Sequence, residues 1–184
     1  MFRTIFALSI LCLISCQPPA EKNRYTPPKD LDPIQNYVVK EMEFDELWDK
    51  TLIEIGNIYK LSSKDKDSGE MSFIFTSEKV SEFIDCGMMN NEIYVDYIHR
   101  IFESILDGKI DIKLKSKDKY ATKVDVVSEF RFISKETGTR WAFKTNKSKS
   151  ILVGNPAYGA DPYRDCQSKH FLETSILNSI ATLK

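Results

Sequence analysis

Lys109-Ile110-Asp111-Ile112-Lys113-Leu114-Lys115 alternates charged and apolar side chains without a break. A period of two puts Ile110, Ile112 and Leu114 on one face of a strand and Lys109, Asp111, Lys113 and Lys115 on the other. Val124, Val126, Phe130 and Phe132 repeat the pattern against Lys123, Asp125, Glu129 and Arg131. Alternation of this kind marks an antiparallel sheet with one dry face and one wet face. Glu136-Thr137-Gly138 reads as the next turn, and Arg140 to Thr145 as a further strand with Trp141 and Phe143 on one side. The lysines between 109 and 119 form a stripe broken by Asp111 and Asp118, which reads as a solvated outer face rather than a surface for nucleic acid or lipid headgroups.

On the amino-terminal side, Tyr94, Tyr97, Ile98, Ile101, Phe102, Ile105 and Leu106 make a broad helical stripe. This predicts a helix within 90–108, with Asn90 or Asn91 as cap and Gly108 as stop. Val80 to Cys86 reads as a strand. Ile58 to Leu61 and Met71 to Thr76 read as two strands joined by the polar turn Asp65-Lys66-Asp67-Ser68-Gly69-Glu70. That turn contains calcium-type ligands, but its glycine and third acidic residue are out of register with a calcium loop, so it reads as a hairpin. Phe44, Leu47, Trp48, Thr51, Leu52 and Ile55 fall on one helical face, and Gly56 sits where a left-handed stop is expected. Tyr37 to Glu43 reads as a first strand. On the carboxyl side, Gly154 to Asp165 is a loop long enough to suggest function. A helix follows it, begun by Cys166, with Phe171, Leu172, Ile176, Ile180 and Leu183 along one side.

Strand, helix, several antiparallel strands and a closing helix predict an α+β fold, a curved antiparallel sheet with helices packed on one face. Val39–Gly56, with Phe44-Asp45-Glu46-Leu47-Trp48-Asp49, and the turn Asp67-Ser68-Gly69 before a strand resemble the repeated domains of BamC, an accessory lipoprotein of outer-membrane barrel assembly. The stretch Phe83-Ile84-Asp85-Cys86-Gly87, with a late Cys166, resembles a wider set of proteobacterial envelope lipoproteins. The resemblance spans roughly residues 37–184 and implies a helix-grip arrangement. It departs from BamC in having room for one such domain rather than two.

The amino terminus gives an address. Arg3 precedes the apolar run Ile5 to Ile14, and Ser15-Cys16 follow at once. The run is too short for the roughly 20 residues of a spanning helix and has the length of a signal-peptide core. Leu13-Ile14-Ser15-Cys16 resembles the lipobox of bacterial lipoproteins; the alternative is an ordinary signal peptide with a chance cysteine. The resemblance implies a signal peptide over 1–15 and a diacylglycerol plus an N-acyl chain on Cys16 as the only attached group. It also implies an outer-membrane anchorage, since Gln17 stands where Asp would suggest inner-membrane retention, with the body in the periplasm. Two acyl chains already give stable anchoring. Residues 16–36 then read as a tether, because five of the seven prolines fall there. Fully extended in polyproline II form it would span roughly 60 Å.

Cys12 lies within the signal peptide, and Cys86 and Cys166 remain in a compartment where disulfides persist. A Cys86–Cys166 disulfide is the economical reading. Two separate buried thiols, or a metal site using Cys166 and His170, are the alternatives.

The chain carries 26 basic and 27 acidic residues, and loss of 1–15 removes only Arg3, so no global field favours nucleic acid. No nucleophile elbow, phosphate loop or zinc-protease motif occurs, and neither His99 nor His170 falls in a recognisable triad. The expectation is therefore a non-catalytic binding or assembly module, without metal or other cofactor, that meets an envelope protein through a sheet edge, a helix face or the loop around Tyr158 and Tyr163. The alternative is a carrier or sensor of an apolar ligand, with Phe73, Phe75, Phe130, Phe132, Trp141 and Phe143 lining a cavity.

Overall fold

A computed structural model of the chain describes residues 24–29, 31–101, 103–134, 140–146, 151–152 and 166–184. In chain order the elements are β1 (Tyr25–Thr26), β2 (Tyr37–Lys40), α1 (Phe44–Gly56), β3 (Lys60–Asp65), β4 (Glu70–Ser77), α2 (Val80–Phe83), β5 (Ile84–Asp85), β6 (Met88–Met89), β7 (Glu92–Ile93), α3 (Tyr94–Ile101), β8 (Ser104–Ser116), β9 (Thr122–Ser134), β10 (Arg140–Lys144), β11 (Ile151–Leu152), β12 (Gln167–Ser168) and α4 (Phe171–Thr182). The main sheet runs β11-β10-β9-β8-β4-β3, with β2 also on β9, and every pairing is antiparallel. Two short ladders, β1-β6-β7 and β12-β5, stand apart from it.

The 109–115 and 122–132 alternations meet in one ladder, with Ile112 opposite Val126 and Leu114 opposite Val124. Ile110, Ile112, Leu114, Val124, Val126, Phe130 and Phe132 are buried. On the opposite face, ion pairs join Lys113 to Glu70 (2.6 Å), Lys109 to Asp111 (2.8 Å) and Lys144 to Glu129. The neighbouring carboxylates of Glu70 and Asp111 raise the Lys113 and Lys109 ammonium groups above their ordinary range. Charges of both signs interleave here, so this outer face is solvated. Helices α1 and α4 contribute Leu47, Trp48, Ile55, Leu172, Ile176 and Ile180 to the core on the inner face. The result is a single α+β domain.

The structure departs from the sequence reading in several places. Helix α3 stops at Ile101, and Ile105, Leu106 and Gly108 belong to β8. Gly108 is no helix stop: it lies opposite Phe75, and a Cβ there would fall 1.9 Å from Phe75 Cε1. The glycine makes room for the ring. Val80–Phe83 is a helical turn, so only Ile84–Asp85 of the expected strand is extended. Gly56 is the last residue of α1 but not left-handed; the following Asn57 stays right-handed (φ −71°), and its N–H bonds Ile53 C=O at 3.0 Å. Cys166 precedes β12 rather than opening the last helix, and Phe171 is 56% exposed, off the buried stripe.

The β3–β4 turn closes as expected. Asp65 Oδ1 accepts the N–H groups of Asp67 (3.1 Å) and Ser68 (3.4 Å), and Ser68 holds the Asp65 carboxyl below its ordinary range. Among the described residues no group of three or more His, Cys, Asp or Glu is arranged to hold a metal. Gly69 has φ +70°, and a Cβ there would lie 2.2 Å from Leu114 O, while Leu114 N–H bonds Gly69 C=O at 2.8 Å. Gly69→Ala is therefore expected to cost roughly 1–3 kcal/mol. Gly56→Ala, whose nearest described atom is 3.9 Å away, is expected to be neutral or stabilising by about 0.5 kcal/mol. Urea unfolding of the two variants checks both.

The proline-rich segment is not a free spacer along its described part. Val126 N–H bonds Asn36 C=O at 2.9 Å, and Asn36 Nδ2 bonds Val126 C=O at 3.1 Å. Ile34 N–H bonds Asn146 Oδ1 at 3.1 Å, and Tyr25–Thr26 pairs with Met88–Met89. Prolines remove donors but leave carbonyls and the intervening amides free to pair. The folded body thus reaches back at least to Arg24, where the sequence places its start near Tyr37.

Candidate functional site

The two short ladders and the first described residues converge on the disulfide. In the β5–β12 pair Ile84 lies opposite Ser168 and Asp85 opposite Gln167, so the register continues to Cys86 opposite Cys166. These cysteines, 80 residues apart, form a disulfide and are fully buried. The alternatives of separate thiols or a Cys166–His170 metal pair are thereby set aside. Tyr25 covers this junction: its hydroxyl donates to Cys86 C=O at 2.9 Å, and its ring meets Tyr94 edge-on at 5.6 Å. Gly87 (φ +79°) admits the strap, since a Cβ there would fall 2.2 Å from Thr26 O. Gln167, beside the other half-cystine, accepts from Leu31 N–H at 3.4 Å and donates to Lys29 C=O.

A second feature is a row of four aromatic rings. Tyr59 and Phe75 have centroids 5.6 Å apart, Phe75 and Phe83 5.2 Å, and Phe83 and Phe171 6.0 Å. The first three are half-buried and Phe171 is exposed, so the row opens to solvent at α4. Burial pushes the Tyr59 phenol above its ordinary value of 10.0. Tyr59, Phe75 and Phe83 also pack against the core, so Phe171 is the ring that carries the row to the surface. Of the aromatics considered as a cavity lining, Phe73, Phe130 and Phe132 fill the core instead, at 0–1% exposure.

The third feature is polar and sealed from water. Glu173, in the first turn of α4, is fully buried. It accepts a hydrogen bond from the Thr145 hydroxyl, and both its oxygens lie 3.4 Å from Ser168 Oγ. Thr145 also accepts from Ser128 N–H at 2.8 Å, and Ser168 Oγ accepts from His170 N–H at 2.9 Å. His170 caps α4 in a left-handed conformation (φ 60°), and its Nδ1, like Ser128 Oγ, is buried without a hydrogen-bond partner among the described residues. The serines, histidine and glutamate do not form a relay: His170 engages Ser168 through its backbone, not its ring. The cluster ties α4 to β9, β10 and β12. Thr145→Val removes both the donor to Glu173 and the acceptor for Ser128, and is expected to cost about 1–3 kcal/mol, with Thr145→Ser close to wild type. Thermal unfolding checks the pair.

Of the residues singled out in the sequence, Cys86 and Cys166 come together; Cys16, Tyr158 and Tyr163 lie outside the described residues. His99 is an exposed residue whose Nδ1 is 3.1 Å from Ser104 Oγ. The aromatic row and the Glu173 cluster were not anticipated. Carrying the period of two from Val124 and Val126 through to Phe130 places Ser128 inside, which was a readable signal. The row draws on the α1–β3 connection, β4, α2 and α4, and no local pattern joins those elements.

Set against known proteins, the chain matches no family model, and no curated protein or solved structure is significantly similar to it. The BamC resemblance therefore stands on its short motifs alone.

Proposed function

We propose that this chain is a lipid-anchored protein of a bacterial envelope, attached to the outer membrane through Cys16, whose periplasmic body is a non-catalytic binding module. The observation that carries the reading is Leu13-Ile14-Ser15-Cys16 directly behind a charged start and an apolar core of signal-peptide length. Support comes from the Cys86–Cys166 disulfide, which suits an oxidising compartment. No described helix is long and apolar enough to cross a membrane, so anchoring falls to the acyl chains in this reading. A helix-grip arrangement, with α4 held against the inner face of the sheet, belongs to the same proposal.

The recognition surface in this proposal is the row Tyr59–Phe75–Phe83–Phe171, and the partner is an apolar segment of another envelope protein. Open edge strands are the weaker candidate. Edge strand β3 carries a register shift between Leu61 and Ser63, and Lys60 and Lys64 lie along it, features that discourage strand addition. Gentle detergent extraction of the native chain, with identification of all that copurifies, tests the proposal. Stoichiometric recovery of an envelope protein, lost in Phe171→Ser, is the expected result. A bound lipid without a protein partner would instead favour the carrier of an apolar ligand, for which the half-exposed rings are the motivating feature. Recovery of neither would reject the binding module.

A further inference from the structure

We infer that the short reach from Cys16 to Arg24 restricts how the body sits on the membrane, with the β6–β7 hairpin seated on the lipid surface. The inference rests on the anchor reading above and adds a face and a direction to it. The first described residue after the anchor, Arg24, is clamped to that hairpin: its N–H bonds Asn90 Oδ1 at 2.8 Å, and its C=O accepts from Asn90 N–H at 2.9 Å. Asn90 and Asn91, both left-handed (φ 53° and 67°), form the hairpin tip. Eight residue steps separate Cys16 from Arg24, which is at most about 29 Å of fully extended chain. A body of this size has a radius of gyration of about 15 Å and hence a diameter of roughly 38 Å. The leash is shorter than the body is wide, so the hairpin end cannot point directly away from the bilayer.

The hairpin is suited to such a seat. Met88 and Ile93 are cross-strand partners, so their side chains share one face, and they are 40% and 44% exposed. The lipid surface is the occupant in this inference, because the leash keeps the hairpin within about 29 Å of it. Arg100, on the adjoining α3, is paired with Glu92 at 2.6 Å, so the hairpin presents apolar side chains beside a neutralised pair. The β3–β4 turn is at the far end of the molecule. β8 starts beside α3, where His99 meets Ser104, and runs antiparallel to β4, so Glu70 and the turn lie opposite Lys113, away from the hairpin. That turn and the wet sheet face toward Lys113 lie away from the proposed seat.

The test uses the lipidated full chain in vesicles of phosphatidylethanolamine and phosphatidylglycerol doped with a nitroxide-headgroup lipid. A fluorophore is attached at Ile93→Cys or at Ser68→Cys, and a third form carries the Ile93 label plus a Gly-Ser linker of about thirty residues inserted after Gln17. The inferred seat predicts several-fold stronger quenching at residue 93 than at residue 68, falling toward the residue 68 level when the linker is inserted, with all three forms floating with the vesicles. Flotation with equal quenching at both sites, or quenching unchanged by the linker, overturns the orientation and leaves the anchor standing. Failure to float overturns the anchor and the orientation together. Near-ultraviolet circular dichroism of each labelled form, compared with wild type, verifies that the fold is kept.

Discussion

Replacing Cys86 and Cys166 together by serine is expected to lower the free energy of unfolding by about 4 kcal/mol, the chain-entropy value for an 80-residue loop. The bridge closes a loop that contains β6 to β11, so its loss frees nearly half of the chain in the unfolded state. It also lies where the β1 strap, the β5–β12 ladder and the approach to α4 converge. Helix α4 keeps Leu172, Ile176 and Ile180 in the core without it, so the variant should still fold. The cost then appears as a shifted urea midpoint with a somewhat larger m-value, as the unfolded chain expands. Trp48, 3% exposed, reports the transition by fluorescence. The strap should loosen first, because Tyr25 bonds Cys86 and Leu31 bonds Gln167. Hydrogen exchange at the Leu31 amide should quicken more than exchange in β8. An unchanged midpoint in the double variant would show that the bridge does not constrain the unfolded chain as argued.

The second large effect is a contrast between neighbours. Phe73→Ala is expected to cost about 3–5 kcal/mol, and Ile74→Ala less than about 1 kcal/mol, although they are adjacent on β4. Phe73 lies opposite Ile110 with 0% exposure, whereas Ile74 lies opposite Lys109 with 38% exposure. The difference is purely one of register, since a slip by one residue would exchange the two faces. Guanidinium unfolding of both variants measures it. Equal losses would mean that β4 does not present Phe73 to the core.

Local period was readable wherever one face of an element is buried. Val124 to Phe132 and Ile110 to Leu114 carried the sheet, and Phe44 to Ile55 carried α1, because burial alone sets those patterns. The helix expected through residue 108 went wrong at a junction. Ile105 and Leu106 continue the spacing of Ile98 and Ile101, so a period of 3.6 fits across the break. Reading back from Ile110 through Gly108, Leu106 and Ser104 would have recovered the strand, all four being buried. Gly108 misled because a helix stop and a seat for an aromatic ring both call for glycine. The strap was illegible for a different reason: its partners, Met88, Asn90, Asn146 and Gln167, are more than 60 residues away, and prolines suggest a spacer when only neighbours are considered. The Glu173 cluster escaped because a polar letter on a helix is read as exposed. Only tertiary packing brings Thr145 and Ser168 to meet it.

The intact mass of the chain isolated from cell membranes under non-reducing conditions reads the anchor and the bridge at once. The expected mass is that of a chain that begins at Cys16, carries a diacylglycerol and one further acyl chain, and lacks two hydrogens for the Cys86–Cys166 bond. A soluble, unacylated chain, or one with residues 1–15 still attached, would contradict the anchor and with it the assignment to the envelope.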